Sequence, residues 1–332
     1  MKVTLIDSDS QQQLLHFRAR LERRMKETFA RAQPASIYDP LRYILSAAGK
    51  RLRGMLVLLS CEAVGGNADQ ALDAAAAIEL LHNFTLVHDD VMDNAAVRRG
   101  KQTIHTKWDS NIAILAGDLM IAHAYQSLLK TEAPHIEQII EIFTQAFIDV
   151  CAGQALDKAY ERRSTVGMSA YRSMIEKKTA AMIASSCEIG ARIGGGTDKE
   201  VMTLREFGNN LGIAFQIQDD LLDIIGDEEE FGKRIGGDVM EGKKTFLLVK
   251  ALKKASARDR TTLTKIQPNH EVTLISVSKV LAIYKRIGVL DDARKEIIRY
   301  TRIAERRLAP LKSSATQATL HWLSHQLLHR TS

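Results

Sequence analysis

The chain has few of the residues that interrupt or staple a fold. Five prolines among 332 residues leave long stretches free for regular structure, and 45% hydrophobic content can bury a large core, so disorder is excluded. The three cysteines, Cys61, Cys151 and Cys187, are odd in number and widely spaced, which favours buried reduced thiols over a disulfide framework. No unbroken apolar run of 18 residues is seen, since Met55 to Val64 is interrupted by Ser60, Cys61 and Glu62, and no transmembrane helix is expected. The N-terminal stretch carries Asp7 and Asp9 and lacks the apolar centre of a signal peptide, which points to a cytoplasmic protein. Aromatic residues, at 5%, supply few stacking platforms, and the net charge of +6 is not gathered into one basic tract. No nucleic-acid partner is expected; the basic residues fit a small polyanion better.

Strand alternation is also missing, and what replaces it is helical periodicity. Leu14, Phe17, Leu21, Met25 and Phe29 recur at spacings of three and four, as do Leu290, Ala293, Ile297, Thr301, Ala304 and Leu308. Breaks are expected where glycine and proline cluster: Pro34 to Pro40, Gly65-Gly66-Asn67, Thr131 to Pro134, Gly194 to Gly196, Gly226 to Gly242, and around Pro268. They separate elements, not domains. An all-α chain, residues 1–332 forming a single domain packed as a helical bundle, is the economical reading.

Two copies of one acidic pattern, Asp-Asp-x-x-Asp, stand out: Asp89, Asp90, Asp93 and, 130 positions later, Asp219, Asp220, Asp223. In a helix Asp89 lies above Asp93 and Asp219 above Asp223. Like charges at that spacing repel, by about 0.2–0.5 kcal/mol in an isolated helix and more if desolvated, so the ladder calls for a cation. Carboxylates without cysteine favour a hard ion, and Mg²⁺ binds one or two carboxylates while phosphate oxygens complete its shell. A single copy is equally read as a solvated helix face; repetition in two apolar contexts weakens that reading. Both motifs fall toward helix C-terminal ends, whose partial negative charge also favours a cation.

Fixed cations should complete such a site, and four groups are candidates. Gly49, Lys50 and Arg53 sit at a helix start; Arg98 and Arg99 follow Asp93; Lys177, Lys178 and Thr179 precede an apolar helical stretch; Lys233, Lys243 and Lys244 follow the second motif. Any one group alone reads as ordinary surface. His82 lies seven residues before Asp89, on its face, as a substrate contact or a satisfied core histidine. The row His321, His325, His329 has no carboxylate or cysteine near it in sequence and reads as a solvent or interface stripe.

In order along the chain, AGKRLRG, HNFTLVHDDVMDNAAVRRG, AGD, GQALD, KKTA, FQIQDDLLD and EGKKT resemble the trans-isoprenyl diphosphate synthases, from about Tyr43 to Lys250. The resemblance implies a helical bundle around a deep central cavity, commonly a homodimer. It also implies head-to-tail condensation of isopentenyl diphosphate with an allylic diphosphate (dimethylallyl, geranyl or farnesyl) by Mg²⁺-assisted ionisation. Three Mg²⁺ ions are implied, two on Asp89 and Asp93 and one on Asp219, with Asp90, Asp220, Asp223 and Asp157 completing or supporting the acidic set. Lys50, Arg53, His82 and Arg99 are then similar to an isopentenyl diphosphate grip, joined by Gly49. Arg98, Lys178, Thr179, Lys233 and Lys243 are similar to the residues around the allylic diphosphate, with Gln154, Phe215 and Gln216 supporting them. Thr179 and Gln216 would face the carbocation, and with Lys178, Asp89 and Asp219 form the implied catalytic set. Ala48, Gly54 and Leu247 depart from the family pattern, which has glycine at the first position and frequently proline at the other two.

Phe84 lies five residues before Asp89, about 7.5 Å along a helix axis, beside the small Thr85. In this family an aromatic there shortens the product, so geranylgeranyl diphosphate is expected, farnesyl diphosphate next, with plain core packing as the alternative role for Phe84. Two other functions remain open at this point: a class I terpene cyclase, whose second metal motif usually has an Asn/Ser/Glu pattern, and a non-catalytic synthase-like subunit.

Overall fold

A computed structural model describes residues 2–47, 49–226, 236–264 and 274–328. The chain is all-α. Its helices are α1 Lys2–Phe29, α2 Ala35–Leu45, α3 Leu52–Ala63, α4 Leu72–Met92, α5 Ile104–Lys107, α6 Ser110–Leu128, α7 Ile136–Glu161, α8 Met168–Ile175, α9 Ala181–Ile193 and α10 Asp198–Ile225. They continue with α11 Gly237–Met240, α12 Phe246–Lys254, α13 Ala257–Thr264, α14 Leu274–Arg286, α15 Val289–Leu308 and α16 Ala315–Leu328. Among the described residues the strands are one two-residue hairpin, Val97–Arg98 against Lys101–Gln102.

The chain packs as two compact units, one of residues 1–147, 182–208 and 307–323, the other of 148–181, 209–306 and 324–332. The divisions fall inside α7, α9, α10, α15 and α16 and not in linkers. In the first unit, α4 is a core helix: Ala74 to Ile78 are fully buried, as are Leu56 to Leu59 of α3 and Leu21 of α1. Small residues permit this closeness. A Cβ on Gly54 would stand 2.4 Å from Leu21, one on Gly117 2.2 Å from His88, and one on Gly190 2.0 Å from the Val57 carbonyl oxygen. The second unit has its own core, including Tyr171, Ile217, Leu221, Phe246, Val280, Tyr284 and Ile297.

One expectation is corrected in part and two are sharpened. The break expected over Pro34 to Pro40 lies only at its start: Pro34 is the N-cap of α2, and the helix then runs through Pro40. An internal proline costs about 3 kcal/mol, and here Pro40, Leu41, Ile44 and Leu45 are all buried, so packing outweighs the lost backbone bond. Lys177 to Thr179 do precede an apolar helix, α9, and they do so within a π-helical turn, Glu176–Ala180, that joins it to α8. Finally, α7 is long and apolar enough to cross a membrane by length and composition, with mean hydropathy 1.4. Its charges are spread along its length, so no unbroken apolar run betrays it; Phe143, Ala146 and Val150 are core, while Ile148 is 54% exposed.

Candidate active site

The first acidic motif closes α4. Asp93 caps the helix, its N–H bonded to the Asp89 carbonyl at 2.8 Å. Asp89 and Asp93 are half-buried, whereas Asp90 is buried at 2% and points into the protein. Its Oδ1 accepts from Arg98 Nε at 2.6 Å. The local chain delivers that arginine: Asn94 and Arg99 adopt φ of 51° and Gly100 72°, left-handed positions that fold the Val97–Gln102 hairpin back.

The cations of this unit gather near the same helix. Arg53 Nη1 lies 3.1 Å from His82 Nε2. Burial, and then the charges of Arg53, Arg99, Arg98 and Arg51, hold His82 well below its ordinary value, so the ring is neutral and accepts from Arg53. The Arg99 guanidinium lies so close to Gly49 that a Cβ there would stand 2.8 Å from Nη1. Lys50 is exposed. Arg98, Arg99, Lys101 and Asn83 line a small recess. Sequence reading missed what holds this group. Arg51, buried at 5%, takes φ 49° and donates through Nη2 to the carbonyls of Leu45 (3.0 Å) and Ala47 (3.3 Å), with Glu79 at 4.0 Å. The buried Glu79 also accepts the Gly54 N–H at 3.0 Å, a bond that a proline at that position could not make. The signal was the second residue of Lys50-Arg51-Leu52-Arg53, a further basic residue between the two candidates.

The second unit holds the second motif by a different network. Asp219 is half-buried; Asp220 is 4% exposed. Asp220 Oδ2 accepts the Tyr171 hydroxyl (2.7 Å) and the Phe246 N–H (2.7 Å), and Oδ1 accepts the Gln216 amide nitrogen (2.9 Å). Those donors occupy both oxygens, which fits a supporting place for Asp220 better than a ligand's. Burial, then the charge of Asp238, pushes its carboxyl up to about 7, against the pull of the three donors. Burial and the facing carboxylate also raise Tyr171, which stays a donor. Asp223 accepts the Asp238 N–H at 3.3 and 3.2 Å. Thr245 caps α12 by accepting the Leu248 N–H at 3.3 Å, which brings the Phe246 amide to its post.

The π-helical turn gathers the remaining polar groups. Lys177 pairs with Asp149 (2.7 Å), Lys178 with the buried Asp157 (2.5 Å), and the Thr179 hydroxyl donates to Gln216 Oε1 (2.6 Å). Two glycines allow this: a Cβ on Gly153 would stand 2.2 Å from the Lys178 nitrogen, and one on Gly212 2.6 Å from Ala180 Cα. Gln154 is buried at 8%, with neither end of its amide bonded among the described residues, an orphan suited to a ligand. Phe215 is half-buried. Lys243 reaches Glu241 (2.6 Å), and Lys244, buried at 3%, braces the loop through the Gly242 and Glu161 carbonyls. Lys233 and His329 lie outside the described residues, as does Ala48. Of the histidine row, His325 is exposed, and folding brings it a carboxylate from another helix, Glu305, at 3.3 Å. Phe84 is 6% exposed, with ring contacts to His88 (4.6 Å) and Phe147 (5.4 Å); Thr85 donates back to the His82 carbonyl.

The donors suit a hard divalent ion: carboxylates half-open to solvent, and no thiolate. Among the described residues no three His, Cys, Asp or Glu side chains form a group that could hold a metal ion.

The sequence pattern of the Polyprenyl synthetase family matches residues 34–284. A short chain isoprenyl diphosphate synthase of Methanothermobacter thermautotrophicus is 37% identical over 93% of this chain and 95% of its own. A geranylgeranyl diphosphate synthase of Methanosarcina mazei is 35% identical over 99% of both. The crystal structure of a geranylgeranyl pyrophosphate synthetase from Pyrococcus horikoshii superposes with a TM-score of 0.91 at 34% identity, covering 98% of this chain and 99% of that one. A polyprenyl synthase from Caulobacter crescentus, 28% identical with a TM-score of 0.88 over 99% of this chain and 97% of its own, was crystallised with calcium and isoprenyl diphosphate. Divalent metal at the diphosphates, and isopentenyl and allylic diphosphates as substrates, are properties of this family. The chain belongs to the polyprenyl synthetase family and is a prenyltransferase.

Proposed function

We propose that this prenyltransferase joins isopentenyl diphosphate head to tail to an allylic diphosphate and stops at geranylgeranyl diphosphate, using three Mg²⁺ ions on Asp89, Asp93 and Asp219. The observation that carries the reading is that the chain has more cationic groups than one diphosphate needs. Arg53, Arg99 and the neutral His82 suit one diphosphate; Lys178, Lys243 and the orphaned Gln154 amide suit another, with Arg98 beside the first motif. A terpene cyclase ionises one diphosphate and needs no second grip.

Mg²⁺, when bound, neutralises the negative charge that grows on the departing diphosphate. The chain's own part is electrostatic and positional. Lys178 and Lys243 share that charge and stay with the leaving group. The oxygens of Thr179 and Gln216 stabilise the allylic carbocation, and Arg53, Arg99 and His82 hold isopentenyl diphosphate so that its double bond meets it. The proton lost afterwards goes to the departed diphosphate. Phe84, backed by His88 and Phe147, ends the space for the growing chain. Names of the relatives support the same product.

The proposal extends to assembly and place. The chain works as one catalytic domain, and a homodimer covers apolar side chains left bare on α6, where Ile114 is 44% and Leu115 54% exposed. The thiols of Cys61, Cys151 and Cys187, none in a disulfide, suit the cytoplasm; Cys61 and Cys187 are buried as expected, whereas Cys151 is exposed. Incubating the purified chain with Mg²⁺, labelled isopentenyl diphosphate and each allylic primer tests the activity. Extension by five-carbon units ending at twenty carbons is expected; no extension overturns the function, and another end point overturns the product.

A further inference from the structure

Thr179 has one proton to give, and the structure shows where it goes. Its hydroxyl donates to Gln216 Oε1 at 2.6 Å, so what Oγ1 offers elsewhere is lone pairs. This holds only while the Gln216 amide keeps its present sense. Turned over, it would present its NH₂ to Thr179, and the hydroxyl proton would point outward, reversing the dipole. The amide is oriented from its other end, where its NH₂ donates to Asp220 Oδ1 at 2.9 Å. Asp220 is held in turn through Oδ2, by the Tyr171 hydroxyl and the Phe246 N–H, each at 2.7 Å. The Phe246 amide belongs to the backbone at the start of α12; the hydroxyl is a single side-chain atom that can be removed. Tyr171 is 2% exposed, and its ring packs edge-on against Phe246 with centroids 6.2 Å apart, so losing the oxygen leaves the packing in place.

We propose that Tyr171 is a positioning residue for prenyl transfer: through Asp220 it fixes the sense of the Gln216 amide, and with it which side of the Thr179 hydroxyl faces the reacting allylic group. The inference rests on the reading that Thr179 and Gln216 stand beside the carbocation. An acceptor there stabilises positive charge, whereas an outward proton opposes it. Tyr171 touches neither substrate nor metal in this scheme. Its effect falls on the chemical step and leaves binding unchanged.

The test is a double-mutant cycle between Tyr171→Phe and Thr179→Val, measuring single-turnover rate, kcat and both KM values in the full-length protein, with thermal midpoints recorded. Tyr171→Phe should lower kcat by about tenfold, with both KM values within about twofold of wild type. In the Thr179→Val background the same change should cost less than about twofold, because the hydroxyl it orients is gone. A second cycle against Gln216→Leu should show the same loss of effect, and serves if Thr179→Val folds poorly. Wild-type kcat in Tyr171→Phe, effects that multiply in both cycles, or a change confined to KM overturns the proposal. Full kcat in Thr179→Val overturns the underlying reading and the relay with it; loss there with multiplying effects overturns the relay alone.

Discussion

The two Asp-Asp-x-x-Asp motifs have the same pattern and opposite supports. In α4 the middle carboxylate, Asp90, is met by a full positive charge at 2.6 Å, that of Arg98. In α10 the middle carboxylate, Asp220, is met by three neutral donors, and its carboxyl rises to about 7. The residues upstream differ as well. Seven and five positions before Asp89 stand His82 and Phe84, a polar contact and a large ring; the same positions before Asp219 are Gly212 and Ala214. Gly212 lets α10 approach the π-helical turn, and Thr179 there reaches Gln216. One helix carries a histidine and a large ring ahead of its motif, the other a close packing surface.

The sharpest way to break this comparison is at the outer carboxylates, which it treats as equivalent. Asp89→Ala and Asp219→Ala should each lower kcat/KM by at least about 10³-fold with thermal midpoints kept; near-normal Mg²⁺-dependent turnover in either would end the equivalence. Next comes Phe84→Ala, which makes α4 resemble α10 at that position. Labelled isopentenyl diphosphate should then appear in products at least one five-carbon unit longer, with about 3 kcal/mol of stability lost to the cavity. The middle carboxylates should separate in urea unfolding below pH 7. Asp90→Asn breaks a charge pair and should cost about 2 kcal/mol, reduced from a fully buried pair because Arg98 remains 19% exposed; Asp220→Asn should cost less. The smallest effect is acidic. The folded-state value of His82 lies below its ordinary 6.5, so folding favours the neutral ring. Its contribution is complete above about pH 6.5 and is lost as pH falls below that. His82→Gln should flatten the decline of thermal midpoint between pH 6.5 and 5 relative to wild type.

Periodicity and the ordered motifs were enough to read the helices and the family, because each is a local pattern. What stayed hidden is non-local. Arg51 looks like its neighbours until α3 brings it to Glu79 and the carbonyls that end α2. Tyr171 is one apolar-face residue among several until α10 places Asp220 against it. Pro40 looked like a break because local propensity says so, and buried neighbours overrule it. The π-helical turn has no composition of its own to announce it.

That turn, Glu176–Ala180, has a consequence for insertions and deletions. A π-helical turn carries one residue more than an α-helical one. Delete Glu176, and the helix could close into an ordinary α-helical ladder, with Lys178 and Thr179 swung about 100° around its axis from their present phase. Such a change should leave helical content intact or raise it, while carrying the lysine from Asp157 and the hydroxyl from Gln216. Most lesions in an enzyme loosen it; this one would make the helix more regular and the catalyst worse.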